Sequence, residues 1–483
     1  MSPVPEQSGG RVKSRLSGWL LIVPAGPENY NIPIGEYTPG LKTVPMKLTP
    51  ASLKKSLSGP SLARDALTTT GWSTIGKAVG FVIPFFLAAW FGVTEETDAF
   101  FFAYGLILFF SVIFAPVVES VIVPFIAEAE ARSEDIGRFV GNILAVAAFG
   151  LAVLAGLMLL SIKPILTVAT RFEAAGIELV YRLLLISSPL LILLVLTSVL
   201  AGTLNAYKKF SVPAIAPAFR AVVVIIFTFL LKDKLGVYAI ALGYVAGEVL
   251  RLTVLLSVAR AIPGFQLRIS ARVSPKLRAF IKTSSYQVIG MAALSLNPVV
   301  DKIMASWIGP GNVSIIYYAD RLYMIPCVIF TSGLIITILS HWSSRYQVSG
   351  REGLNKDLRR AGKKIVMFVL PVVLLMILFH RPLVNLAFGR GEMTREELIA
   401  VGNTWIFFLF GVVFYVLKQV YVRGFIVLKH TKIIMKAALY STVLNVIFNY
   451  LLMTPLAAAG IALATTLVNA FAFIYLRASF QRT

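Results

Sequence analysis

Cysteine and histidine are scarce in this sequence, which excludes several kinds of site. The 483 residues include one cysteine, Cys327, and three histidines, His341, His380 and His430. One cysteine cannot form an intrachain disulfide or a cysteine-based zinc site. No histidine has further metal-ligand residues at zinc-site spacing. We therefore expect no transition-metal centre and no organic cofactor.

Charged residues are also few, at 14% of the chain, whereas 57% of the residues are hydrophobic. This balance is far more apolar than that of a soluble domain and predicts a polytopic membrane protein. The net charge of +22 comes from basic residues in short connections between apolar runs. That distribution follows membrane topology, so we expect no nucleic-acid partner.

Enzyme motifs are absent from the sequence as well. It contains no glycine-rich phosphate loop, no HExxH and no GxSxG. We therefore expect a transporter rather than an enzyme.

About twelve apolar segments, from Leu67 onward, are long enough to cross a bilayer as helices. They are predicted at 67–92, 98–128, 137–162, 176–206, 211–231, 236–260, 279–308, 311–342, 360–387, 396–426, 432–453 and 457–478. Residues 1–65 are rich in Pro, Gly, Ser and Lys and are predicted to be a disordered cytoplasmic extension. Basic residues follow Met46, so we hypothesise that translation starts there.

The connections at 207–210, 261–278, 343–359 and 427–431 are rich in Lys and Arg, whereas those at 93–97, 309–310 and 454–456 contain neither. The positive-inside rule then places both termini in the cytoplasm.

An internal repeat divides the chain. Ala221 to Leu231 matches Thr442 to Leu452 at an offset of 221, and the same offset aligns Ala239 to Gly243 with Gly460 to Ala464. We predict an N-lobe of helices 1–6 at 66–262, a basic linker at 263–278 and a C-lobe of helices 7–12 at 279–483. Transporters with such repeats bind substrate between the lobes.

Arg321 is the most informative charged residue, because it lies ten residues after Gly311, roughly 15 Å down a helix and near the bilayer midplane. Cations outnumber anions among the intramembrane charges, which suits a phosphate-bearing substrate. The candidate site residues with a charge are Lys77, Arg220, Lys302, Asp320 and Arg321.

Three alternatives stay open for the intramembrane charges. Arg321 could pair only with Asp320, and Glu248 could neutralise Arg251 at i, i+3. Lys418 and Arg423 are predicted to extend to the cytoplasmic headgroups.

A second cluster contains only oxygen ligands and consists of Asp301, Asn445, Asn449 and Thr465. One carboxylate with amide and hydroxyl oxygens suits Na⁺ as a coupling ion. Interhelical hydrogen bonding is the alternative interpretation.

Two stretches resemble a known family. The first includes Gly80-Phe81, Phe91-Gly92, Thr97 to Phe101 and Val123-Pro124. The second and more specific one includes Met304 to Gly309, Val313-Ser314, Tyr317 to Leu322 and Pro326. The chain resembles, over residues 66–479, the MurJ (MviN) lipid II flippases of the multidrug/oligosaccharidyl-lipid/polysaccharide exporter superfamily.

The resemblance implies an alternating-access flippase for an undecaprenyl-pyrophosphate-linked peptidoglycan precursor. It assigns substrate roles to Arg321, Ser314 and Asp98, and places Lys77 where the family has a cavity arginine. It also implies sodium binding at Asp301, Asn445, Asn449 and Thr465, with Asn449 in place of a carboxylate.

Several positions depart from the family pattern. Ile83 and Ser111 stand where essential arginines are usual, and Pro116 stands where a glutamate is usual. The twelve predicted helices also leave no counterpart for two further C-terminal helices of the lipid II flippases.

We therefore expect an all-α polytopic membrane protein with two pseudo-symmetric six-helix lobes around a central cavity, located in the bacterial inner membrane. The expected function is flipping of a polyprenyl-pyrophosphate-linked saccharide, with lipid II as the first candidate. Alternatives are an O-antigen or exopolysaccharide flippase, a membrane glycosyltransferase and a non-transporting scaffold. Expected partners are membrane lipids and cell-wall synthesis enzymes, and the chain is expected to act as a monomer.

Overall fold

A computed structural model describes residues 76, 78–270 and 274–482. The predicted extension at 1–65, the hypothesised start at Met46 and the candidate Lys77 lie outside the described residues. Within the described ranges the chain is mostly α-helical and contains no strand. This agrees with the predicted all-α membrane fold.

Six helices form the first half of the described chain. They are α1 (Ala78–Phe91), α2 (Glu95–Ala131), α3 (Ile136–Ala169), α4 (Ala174–Ala206), α5 (Ser211–Leu235) and α6 (Tyr238–Arg260).

The second half follows from residue 274 onward. Its helices are α7 (Pro275–Leu294), α8 (Asn297–Ser306), α9 (Asn312–Leu378), α10 (His380–Phe388), α11 (Arg395–Val427), α12 (Thr431–Leu456) and α13 (Ala458–Arg482). Over the two described halves, ten helical segments are long and apolar enough to cross a membrane.

Two predicted helices are interrupted. The predicted helix at 279–308 is broken between α7 and α8, because Pro298 lies in the first turn of α8 and cannot continue a preceding helix. The predicted helix at 360–387 is interrupted at Phe379, between α9 and α10. Helix α9 itself bends at Gly350, whose φ of 57° and ψ of −154° are not helical.

Helix starts follow the capping residues of the sequence. Thr94 caps α2 in a reciprocal capping box with Thr97, and Thr394 caps α11 in one with Glu397. Both boxes satisfy backbone N–H groups that a helix start leaves free. We refer to the end of the molecule that contains Thr94, Gly311 and Thr394 as the Asp98 end.

The backbone repeats at the same offset of 221 residues as the sequence. Lys208 and Lys429 both have a φ of 58° after α4 and α11, and Gly236 and Ala457 have φ values of 54° and 50° after α5 and α12. The N–H of Gly236 donates to the Lys232 carbonyl, and that of Ala457 donates to the Met453 carbonyl. Helices α4–α6 therefore repeat in α11–α13.

Helices of each half pack mainly on one another. Helix α2 packs on α4, α4 on α6 and α5 on α6, while α9 packs on α11, α11 on α13 and α12 on α13. Between the halves, α2 contacts α7, α8 and α9, and α3 contacts α7, whereas α12 packs on α7 and α8 within the second half. This pattern supports the two-lobe interpretation and makes the region around α2, α8 and α9 the meeting place of the halves.

Candidate functional site

Arg321 lies on α9, between the halves and ten residues from the N-cap Gly311. Its guanidinium carbon is 4.6 Å from the ring centroid of Tyr317, one turn earlier on the same face. No ion pair joins Arg321 to a carboxylate among the described residues, and its buried Nε has no hydrogen-bond partner there. Asp320 interacts with Arg321 only electrostatically, so the alternative in which Arg321 only pairs with Asp320 or a neighbouring helix stays a prediction.

Two tyrosines of the first half face this arginine. Tyr104 on α2 and Tyr244 on α6 have ring centroids 4.5 Å apart and are both buried. Both belong to the electrostatic surroundings of Arg321 of the second half and of Arg220 of the first. The tyrosine pair therefore lies in the neighbourhood of two of the predicted cations.

Lys302 on α8 is the third cation, and it packs directly against α2. A Cβ atom on Gly105 would lie 2.7 Å from the Lys302 Nζ, so the end of the lysine side chain lies directly against this glycine. Lys302 interacts electrostatically with Arg321 and Asp320. The structure thus brings Arg321, Lys302 and Asp320 together, and places Arg220 beside the same tyrosine pair.

Arg220 belongs to an ionic cluster inside the first half. Glu248 is fully buried and accepts hydrogen bonds from Arg220 at 3.3 Å, from Arg251 at 2.9 Å and from the Thr197 hydroxyl at 2.7 Å. The predicted pairing of Glu248 with Arg251 is confirmed, and Arg220 is an additional partner. We refer to Thr197, Arg220, Glu248 and Arg251 as the Glu248 cluster.

Asp98 and Ser314 hold the two halves together. The buried Asp98 carboxylate accepts hydrogen bonds from the Gly311 N–H at 2.6 Å, from the Ser314 N–H at 2.7 Å and from the Ser314 hydroxyl at 2.6 Å. Directly beneath, Phe101 stacks on Tyr317 with centroids 3.8 Å apart. The substrate roles that the resemblance assigns to Asp98 and Ser314 stay a prediction, and in this structure the two residues hydrogen-bond to each other across the halves.

In the oxygen-ligand cluster, Asp301 on α8 meets Asn445 and Asn449 on α12, while Thr465 lies on α13. The Asp301 Oδ1 accepts hydrogen bonds from the side-chain amides of Asn445 at 3.1 Å and Asn449 at 2.7 Å. Two buried oxygens, Asn449 Oδ1 and Thr465 Oγ1, have no hydrogen-bond partner among the described residues. Two free acceptor oxygens and one carboxylate fit a hard monovalent cation, which prefers oxygen ligands.

Lys418 does not extend to the headgroups, so that prediction was wrong. Its ammonium group points inward, donates to Asn469 Oδ1 at 2.6 Å and lies 4.9 Å from the Tyr415 ring centroid. The inward position supplies both a hydrogen bond and a cation–π contact, which compete with snorkelling.

The sequence missed the aromatic and small residues of the site, namely Tyr104, Gly105 and Tyr244. Tyrosine and glycine are frequent in any membrane helix, and no local pattern showed that these would meet across helices. Only Tyr317 carried a signal, since it lies at i−4 from Arg321 and therefore on the same helix face.

A polytopic helical protein with repeated halves and charged side chains between them has the architecture of a secondary transporter. The family model of the lipid II flippase MurJ matches residues 87–483. The chain therefore belongs to the MurJ family.

Relatives with curated names are similar over most of the chain. A probable lipid II flippase MurJ of Rickettsia prowazekii is 27% identical over 414 residues, which cover 84% of this chain and 81% of the relative. The lipid II flippase MurJ of Burkholderia cenocepacia is 24% identical, with 84% and 81% covered.

Solved structures show the same fold. A lipid II flippase MurJ in an inward closed conformation matches with a TM-score of 0.75 and 24% identity, covering 86% of this chain and 87% of that chain. An inward-facing multidrug resistance transporter of the MATE family matches with a TM-score of 0.72 and 15% identity, covering 86% and 98%.

Proposed function

We propose that this protein is a flippase that moves lipid II, a polyprenyl-diphosphate-linked saccharide, across the bacterial cytoplasmic membrane. The main support for this proposal is Arg321, a buried guanidinium between the two helical halves that forms no ion pair with a carboxylate among the described residues. An arginine buried within the membrane is costly, and a substrate anion would compensate the cost. Membership in the family and the names of the curated relatives support lipid II as the substrate.

The side chains around Arg321 suit a diphosphate. A guanidinium donates two parallel hydrogen bonds to phosphate oxygens, and the Lys302 ammonium adds a compact positive charge beside it. The scarcity of Lys and Arg in the connections at 93–97 and 309–310 supports an orientation with the Asp98 end outside the cell. Since Asp98, Ser314, Phe101 and Tyr317 close that end, the head group enters from the cytoplasm and leaves when these contacts open.

We further propose that Na⁺ drives the cycle from the Asp301 cluster. The Asp301 carboxylate, the Asn445 and Asn449 side chains and the Thr465 hydroxyl would hold the ion. When bound, Na⁺ supplies a positive charge that holds α8, α12 and α13 together. This supports coupling, because α8 also carries Lys302 of the diphosphate site.

The test is complementation in a bacterium depleted of its lipid II flippase. We expect the wild-type chain to restore growth, Arg321→Ala to abolish it, and Arg321→Lys to restore it partly, because lysine binds phosphate as a point charge. Arg390→Ala, in an exposed loop at the Asp98 end, is the control and should behave as wild type. Growth with Arg321→Ala at normal membrane levels would contradict the role assigned to Arg321 in binding the diphosphate.

Sodium coupling is tested separately, in proteoliposomes of the wild-type protein and of Asp301→Asn. Flipping should fall when choline replaces sodium outside and inside, and Asp301→Asn should remove the difference. Equal wild-type rates in the two media would exclude sodium as the coupling ion.

One observation favours a second candidate, a flippase for an O-antigen or exopolysaccharide unit. Ile83 and Ser111, which replace arginines usual in the family, are both buried, and the Ser111 hydroxyl donates to the Ile107 carbonyl. These positions therefore face packed helices and offer no charge to a head group. Failed complementation together with lost surface polysaccharide in the native host would select this candidate.

A further inference from the structure

We propose that Arg220 and Arg251 form a second diphosphate-binding subsite in the first half, and that Glu248 is a built-in anion that occupies it until the substrate arrives. This inference rests on the proposed function, since it adds a second binding site for the diphosphate head group of the same substrate. It concerns residues of α5 and α6, away from the Arg321 helix.

The geometry of the Glu248 cluster is that of an occupied anion site. Each Glu248 carboxylate oxygen accepts a hydrogen bond from a different arginine, and Oε1 also accepts one from Thr197. Two guanidinium groups converging on two oxygens is the arrangement that recognises phosphate. The carboxylate therefore fills a place that a diphosphate oxygen pair could take.

The cluster has spare hydrogen-bond donors. Glu119 also interacts electrostatically with Arg251, so two carboxylates balance the two arginines. The buried Nε atoms of both Arg220 and Arg251 nevertheless lack a hydrogen-bond partner among the described residues. Glu248 is completely buried, whereas the Arg220 side chain is 22% exposed. Arg220 can thus reach outward while Glu248 stays in place.

The repeat shows that helix packing does not require these arginines. At the offset of 221, Thr197 and Glu248 correspond to Lys418 and Asn469, which also hydrogen-bond each other across α11 and α13. Arg220 and Arg251 correspond to Ser441 and Ala472. The second half builds the same helix contact without the two guanidinium groups, so packing alone does not explain them.

The subsite lies next to the Arg321 site. Arg220 and Arg321 both interact with Tyr104 and Tyr244, so a diphosphate near the tyrosine pair is adjacent to both guanidinium groups. Binding there exchanges one anion for another: the diphosphate takes the arginines, and Glu248 keeps only Thr197. Glu248 then competes for the arginines again and promotes release.

The experiment measures binding to the full-length protein in nanodiscs, with farnesyl diphosphate and inorganic pyrophosphate as probes. Glu248→Gln removes the competing charge, so we expect it to bind farnesyl diphosphate roughly tenfold more tightly and to flip lipid II more slowly. Arg220→Gln and Arg251→Gln should weaken binding by a similar factor. Arg260→Gln, exposed on the same helix, is the matched control and should not change binding.

Thr197→Val tests the exchange without changing charge, in case Glu248→Gln does not fold. It removes the one partner that Glu248 keeps when the diphosphate takes the arginines, so binding should weaken. Tightening in Glu248→Gln for farnesyl diphosphate alone would assign the subsite to the lipid-linked substrate, and tightening for both probes would assign it to the diphosphate group itself. If Arg321→Ala abolishes binding while Glu248→Gln does not tighten it and Thr197→Val does not weaken it, the inference fails and the proposed function stands. If the wild-type protein binds neither probe, both fail.

Discussion

The two halves bury charges of opposite sign at equivalent positions of the repeat. In the first half, Thr197 donates to the anion Glu248, and arginines balance that anion. In the second half, the cation Lys418 donates to the neutral Asn469. No ion pair joins Lys418 to a carboxylate in the described part of the chain. Its ammonium therefore carries a desolvation cost that a hydrogen bond and one aromatic ring offset only partly.

We predict that Asn469→Asp stabilises the protein, because it gives Lys418 a counter-charge at the oxygen that already accepts its hydrogen bond. The expected gain is roughly 1–3 kcal/mol, in the range by which a buried charge gains from a partner. Thermal unfolding of the purified protein near neutral pH measures it. Asn469→Leu is the comparison and should lower the unfolding temperature. A lower unfolding temperature for Asn469→Asp than for wild type would contradict the prediction.

The sequence predicted which charged residues belong to the site better than it predicted which side chains they contact. Arg321 and Lys302 could be found because a charge inside an apolar run is conspicuous. The pairing of Glu248 with Arg251 could be found because i, i+3 residues share a helix face. The bond from Arg220 to Glu248 could not, since it depends on how closely α5 approaches α6 at Gly247, where a Cβ would lie 2.7 Å from the Arg220 carbonyl oxygen.

At the scale of the elements, residues 265–270 of the basic connection after α6 pack against helix α3. The Arg268 N–H donates to the Gly137 carbonyl at 3.5 Å, and the Ser270 N–H donates to Asn142 Oδ1 at 2.7 Å. A Cβ on Gly137 would clash with the Gln266 carbonyl, and one on Gly141 with that of Arg268. The two glycines of α3 therefore allow the connection to lie against the helix backbone.

We predict that Gly137→Ala and Gly141→Ala detach this connection and lower the unfolding temperature. Gly150→Ala and Gly156→Ala are matched controls in the same helix, because a Cβ there meets nothing within 4 Å. The controls should be neutral or stabilising by about 0.5–1 kcal/mol, since alanine favours helix. Trypsin cleavage at Arg268 measures detachment. Equal cleavage in all four variants would show that the glycine contacts do not hold the connection.

Helix positions were predictable from apolar runs, but helix interruptions were not. Pro298 was visible in the sequence, yet a proline inside an apolar run either kinks a helix or starts a new one, and tertiary packing decides which. The break before α8 matters, because it sets the direction of the short helix that carries Asp301 and Lys302. Both the diphosphate and the sodium proposals therefore depend on a feature that sequence periodicity did not show.

At the scale of the whole molecule, three contacts close the Asp98 end. Two join α2 to the start of α9, and the third joins α9 to Gly92, just before α2. They are the hydrogen bonds of Asp98, the stacking of Phe101 on Tyr317 and the hydrogen bond from the Tyr318 hydroxyl to the Gly92 carbonyl at 3.1 Å. The Asp98 carboxylate contributes most, because it satisfies two backbone N–H groups at the start of α9. Alternating access requires all three contacts to separate together.

We predict that Asp98→Asn shifts the protein toward an arrangement open at this end. An asparagine side chain offers one acceptor oxygen, and its NH₂ group faces donors, so closure should lose roughly 1–3 kcal/mol. Spin labels on Glu96→Cys and Pro310→Cys, both exposed beside the closure, measure the separation in a Cys327→Ala background. A longer-distance population should grow in Asp98→Asn.

Glu95→Gln is the matched control for that measurement, because it neutralises an exposed carboxylate in the same first turn of α2. It changes the local charge as Asp98→Asn does, but leaves the hydrogen bonds to Gly311 and Ser314 in place. The distance distribution should therefore match wild type. If both variants open the end equally, net charge rather than the Asp98 hydrogen bonds holds it closed, and if neither does, the aromatic contacts alone are sufficient for closure.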